Sequence, residues 1–65
     1  MNEQLLKGRW NEMKGRVKEK WGRLTDDELE QMDGNMDQLI GALQQRYGLV
    51  QEEARKEVNA WLRTH

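Results

Sequence analysis

Large apolar residues in the first part of the chain fall at Leu6, Trp10, Met13, Val17, Trp21 and Leu24, in steps of four, three, four, four and three. On a helix of 3.6 residues per turn these positions share one side, within an arc of about 80°. A stripe that narrow suits packing against one neighbour and leaves the rest of the helix to solvent. The chain has no proline, and it is rich in Glu, Lys, Gln, Arg and Leu, which favour helix in isolation. The expected fold is all-α.

Punctuation divides the chain further. Leu24 is expected to close the first helix, because Thr25-Asp26-Asp27-Glu28 is a capping-box signal. The Thr25 hydroxyl can accept from the Glu28 N–H while the Glu28 carboxylate reaches back to the N–H of Thr25. The second helix ends near Met32, where Asp33-Gly34-Asn35 supplies turn chemistry. A third carries Met36, Leu39, Ile40, Leu43 and Tyr47 on one face, with Gly48 placed to close it in the left-handed conformation. A fourth starts around Val50-Gln51-Glu52-Glu53 and turns Ala54, Val58, Trp61 and Leu62 inward. Val50 is a poor N-cap, which leaves that boundary weakly marked.

Sixty-five residues allow a single domain, 1–65, and a chain this short buries only about 60% of the surface its unfolded form exposes. No cysteine is present to reinforce it with a disulfide or a thiolate metal site. Charged residues are 35% of the chain, enough to make disorder a competing outcome. Three tryptophans, a tyrosine and the helical periodicity decide for a folded core. The opening Met1-Asn2-Glu3-Gln4-Leu5-Leu6-Lys7 has no apolar h-region, and no run approaches the roughly 20 apolar residues of a membrane span. A cytoplasmic protein is the expectation.

The glycines form a second pattern. Gly8, Gly15 and Gly22 stand seven apart, as do Gly34, Gly41 and Gly48. Each is followed two residues later by an apolar side chain: Trp10, Val17 and Leu24, then Met36, Leu43 and Val50. The two halves echo each other over too short a span to make a solenoid. The first three glycines lie opposite the apolar stripe, and each costs about 1 kcal/mol of helix stability relative to Ala. They mark either a loose, exposed helix back or a groove where another backbone comes close; the first is the expected reading.

Catalytic chemistry has little to stand on. His65 is the only histidine and the final residue, and with no cysteine and no internal histidine a nucleophile has no base beside it. Asp26, Asp27, Glu28 and Glu30 read as a helix cap and solvated face, not as an acid–base pair. Asp33-Gly34-Asn35-Met36-Asp37 opens like a calcium loop but puts Gln38 and Gln44 where glycine and a bidentate glutamate are required. Trp10, Trp21 and Trp61 could stack on bases, yet all three fall on apolar stripes and are assigned to the core, as are the methionines. We therefore expect no enzyme, no metal and no cofactor.

Charge is the one feature that exceeds this plain reading. Residues 1–24 carry seven basic side chains against three acidic ones, while 25–65 carry four against nine. Lys7, Lys14 and Lys18 flank the first stripe on one side and Arg9, Arg16, Lys20 and Arg23 on the other. Such a basic amphipathic helix fits a nucleic-acid or anionic-membrane surface. It equally fits a bundle whose positive first helix lies against its own acidic remainder. A net charge of −1 favours the second arrangement over a dedicated polyanion binder.

Lys7-Gly8, Trp10, Lys14-Gly15, Lys18-Glu19 and Trp21-Gly22-Arg23-Leu24-Thr25-Asp26-Asp27 resemble the opening of the CsbD-like family of small bacterial stress-response proteins. Gly34, Asp37-Gln38-Leu39, Gly41, Gln45, Tyr47-Gly48, Glu53-Ala54, Glu57-Val58 and Trp61 are similar to its second half. The likeness runs from about Lys7 to Trp61, with Asp33 where the family often has Glu and Val50 where it usually has a polar cap. It implies a compact bundle of about four helices, built like two crosswise-packed hairpins in the manner of sterile-alpha-motif folds. It also implies a bacterial cytoplasmic protein made in quantity under general stress, with no reaction, ligand or defined partner attached. The expected function is a non-enzymatic stress-response protein acting by binding or abundance. The alternative is a nucleic-acid- or membrane-surface module using Lys7, Arg9, Lys14, Arg16, Lys18, Lys20 and Arg23.

Overall fold

The computed structural model describes the backbone of residues 2–64 and the side chains of residues 4–64. Met1 and His65 lie outside the described residues. Five helices follow in order: α1 (Asn2–Gly8), α2 (Trp10–Lys20), α3 (Asp26–Met32), α4 (Met36–Tyr47) and α5 (Gln51–Arg63). Among the described residues there is no strand. The described residues are all-α as expected, with five helices instead of about four.

The added boundary falls inside the first stripe. Arg9 leaves helical geometry (φ −123°, ψ 25°), yet its N–H still donates to the Leu5 carbonyl at 3.1 Å. The kink therefore keeps the helical register, and Leu6 and Trp10 are both buried on either side of it. Bending there lets α1 lie against the Asp33-Gly34 turn. Gly34 is buried at φ +79°, and a methyl group on it would stand 2.6 Å from Lys7 Cα and 2.9 Å from the Leu6 carbonyl oxygen. Close backbone approach thus occurs at Gly34, while Gly8 and Gly15 face open space and Gly22 meets only the Lys18 carbonyl. The backs of α1 and α2 are exposed, as expected.

α2 stops at Lys20, short of Leu24. Trp21 takes φ −121°, ψ 78°, and Gly22 to Leu24 form a turn closed by the Leu24 N–H on the Trp21 carbonyl at 3.1 Å. That departure frees the Trp21 ring to meet Trp61 edge-on at 5.4 Å between centroids. Its indole N–H donates to Glu57 Oε1 at 3.1 Å. Thr25 then forms the full capping box: its hydroxyl accepts from Glu28 N at 3.1 Å, and its own N–H donates to Glu28 Oε1 at 3.0 Å. Asn35 caps α4 by accepting from Gln38 N at 3.1 Å. Gly48 ends that helix at φ 68° with its N–H on the Gln44 carbonyl. Val50 caps α5 through its extended backbone alone, with no side-chain hydrogen bond.

One core joins all five helices. It holds Leu6, the three tryptophans, Met13, Met32, Met36, Val17, Leu24, Leu29, Leu39, Ile40, Leu43, Ala54, Val58 and Leu62. No polar or charged side chain is buried among the described residues. Trp10 meets its one polar requirement by donating from Nε1 to the Leu29 carbonyl at 2.8 Å, which ties α2 to α3 from within.

Candidate functional site

The basic residues of the N-terminal region divide by what they face. Lys14 and Lys18 sit one turn apart on the side of α2 that looks at α3. Lys14 Nζ donates to Glu30 Oε1, and Lys18 Nζ reaches Asp26 Oδ1 at 3.3 Å. The two pairs span a shallow groove of about 400 Å³ floored by Gly15 and Leu29. Both lysine side chains are about a third or more exposed, at 34% and 40%. Their pairs are therefore solvent-screened contacts, each worth about 0–1 kcal/mol.

Arg23 turns away from this groove. Its backbone N–H donates to the Tyr47 hydroxyl at 3.1 Å and its guanidinium donates to the Arg46 carbonyl at 3.2 Å. The guanidinium also lies over the Tyr47 ring, 5.4 Å from its centroid. Arg23 thereby fastens the turn after α2 to the end of α4. Arg9 meets Glu12 at 3.9 Å, and Arg9 and Arg16 border an exposed hollow with Glu12 and Met13. Lys7 and Lys20 are exposed. Of the seven cations, Lys14 and Lys18 address α3, Arg23 addresses α4, and Lys7, Arg9, Arg16 and Lys20 are exposed.

Acidic residues supply the other half of the arrangement. Asp26 and Glu30 accept from the α2 lysines, and Glu28 accepts from Arg46 at 2.9 Å. The backbone N–H of Thr25 and then the Arg46 guanidinium hold the Glu28 carboxyl below the usual carboxylate value. Arg46 bears no mark in the sequence beyond its place in the last turn of α4, and only the packing of α3 on α4 brings it to Glu28. Among the described residues, no three of His, Cys, Asp and Glu are grouped to hold a metal ion. Among the described residues, no helix is long and apolar enough to cross a membrane.

No curated protein and no solved structure matches the chain. The family model described as CsbD-like matches residues 5–56. That stretch holds the Gly8-Arg9 kink, the α2–α3 lysine–carboxylate pairs, the Thr25 capping box, all of α4 and the start of α5. Trp61, the last residue of the sequence resemblance, falls beyond it. The chain belongs to the CsbD-like family.

Proposed function

We propose that this is a non-enzymatic stress-response protein of the bacterial cytoplasm that works by binding or by abundance. Membership of the CsbD-like family is the observation that carries the reading. The absence of cysteine and of any internal histidine supports the non-enzymatic part, since nucleophile activation and proton transfer near neutral pH draw chiefly on those groups. The crosswise pairing of two helical hairpins implied by the resemblance belongs to the same proposal. Quantitative immunoblotting across growth and general stress tests it. The protein should rise severalfold under stress, and a constant level would contradict the assignment.

The pairing of Lys14 and Lys18 with α3, with Arg23 held against Arg46 and Tyr47 and Arg9 beside Glu12, favours this reading over a polyanion-binding one, because these cations are already engaged within the domain. Titration with single-stranded nucleic acid and with anionic vesicles separates the two. At about 0.15 M salt, where the Debye length is about 8 Å, association should be negligible. A polyanion binder using four phosphate contacts would instead bind with a log–log salt slope of about −3.

A further inference from the structure

The helices on either side of the Arg9 kink are held by different means. α2 is pinned by directed contacts: Trp10 Nε1 donates to the Leu29 carbonyl at 2.8 Å, and Lys14 and Lys18 reach Glu30 and Asp26 of α3. Along residues 4–8 of α1 the hold is packing. Leu6 is the fully buried side chain there, at 0% exposure, with Leu5 half-buried beside it. No side-chain hydrogen bond or ion pair from residues 4–8 reaches another helix. The change from pinned to packed falls at Arg9.

What α1 packs on is backbone. Lys7 Cα and the Leu6 carbonyl come so near Gly34 that a methyl group there would stand 2.6 and 2.9 Å from them. A seat that close is either filled or lost, because a small separation forfeits its van der Waals contacts and gains no others. The hinge is open by contrast. Gly8 and Arg9 are exposed, a methyl on Gly8 would meet nothing within 4 Å, and a hollow of about 460 Å³ lies at the elbow. The Arg9 N–H already donates to the Leu5 carbonyl at 3.1 Å. The apolar stripe also runs through the kink at helical spacing, so a straightened chain keeps its register.

We propose that α1 is a latch. It undocks from Gly34 as one unit about Arg9 while α2 to α5 stay folded, and once undocked it continues α2 as a single helix over residues 2–20. Local openings of this kind occur in elements with few buried apolar contacts. The open form bares Leu6 and its seat, so a domain this small offers apolar surface reversibly without unfolding. Burial of one leucine side chain favours closure by about 10- to 100-fold, which leaves about 1–10% of molecules open.

Native-state thiol labelling tests this directly. The chain has no cysteine, so Leu6→Cys and Leu43→Cys each introduce a unique thiol at a fully buried position. The Leu6→Cys thiol should label at least about tenfold faster than that variant's own global unfolding allows, and the Leu43→Cys thiol no faster than its own. Two glycines then separate latch release from general weakening. Gly34 and Gly48 both hold positive φ, +79° and +68°, but a methyl on Gly48 would meet nothing within 4 Å. Gly34→Ala should therefore speed labelling of the Leu6→Cys thiol about tenfold more than that of the Leu43→Cys thiol, while Gly48→Ala speeds both alike. Circular dichroism of Gly34→Ala should keep the wild-type helical signal. Labelling of the Leu6→Cys thiol at the global rate, or a Gly34→Ala effect matched by Gly48→Ala, overturns the latch. Selective labelling accompanied by loss of helical signal overturns the continuous helix.

Discussion

Trp21 shows how one side chain can close one element and join it to another. It ends α2, stacks edge-on with Trp61 of α5 and donates to Glu57, all while 3% exposed. Truncation to Ala should cost about 3–5 kcal/mol, whereas Lys18→Ala should cost well under about 1 kcal/mol because its ion pair is exposed. Denaturant melts of the two variants check this, and similar midpoints would contradict the burial. The assignment of all three tryptophans to the core was legible from their spacing. Their polar partners were not, because the Leu29 carbonyl and Glu57 are brought near by tertiary packing that no local pattern encodes. Glu28 gives a second outcome at the same level. Its carboxyl is held below the ordinary value in the folded chain, so its contribution is present above the unfolded carboxylate pKa and is lost as pH falls through the lower folded one. Wild type should therefore lose stability on acidification more steeply than Glu28→Gln, measured by thermal melts from pH 6 downward through the carboxylate range; parallel curves would show that the Thr25 and Arg46 contacts have no energetic consequence.

The helices owe their limits to caps and glycines of unequal value. Gly15 and Gly41 sit inside α2 and α4 with nothing within reach of an added methyl. Alanine at either should stabilise the fold by about 0.5–1 kcal/mol through helix propensity. Gly34→Ala should do the reverse, by about 2 kcal/mol or more, because it combines a left-handed backbone with a collision against Lys7. Equilibrium unfolding of the three variants gives the signs directly, and a neutral Gly34→Ala would remove the role assigned to that turn. The capping box at Thr25, the αL closure at Gly48 and the turn at Asp33-Gly34 could all be read from local residue chemistry. The kink at Arg9 could not, since the apolar stripe passes through it unbroken and the Arg9 N–H keeps its helical partner. What bends the chain there is the approach of α1 to Gly34, a contact across the whole α2–α3 span.

Across the molecule, the basic N-terminal third and the acidic remainder meet at the α2–α3 seam. The charge division was visible in the sequence as blocks of opposite sign. Which cations face inward depended on helix rotation, and Lys14 and Lys18 turn toward carboxylates of α3. Reversing both lysines to Glu should place four like charges along the seam and lower the thermal midpoint. For a domain this size each kcal/mol corresponds to about 4–8 °C. Adding Asp26→Lys and Glu30→Lys restores the opposite signs in exchanged positions. If these α2 cations serve the domain's own acidic helix, the thermal midpoint of Lys14→Glu/Lys18→Glu falls by several degrees at low salt and the fourfold exchange recovers most of it. A double reversal that melts with the wild type, or a loss that the fourfold exchange leaves in place, would contradict that role.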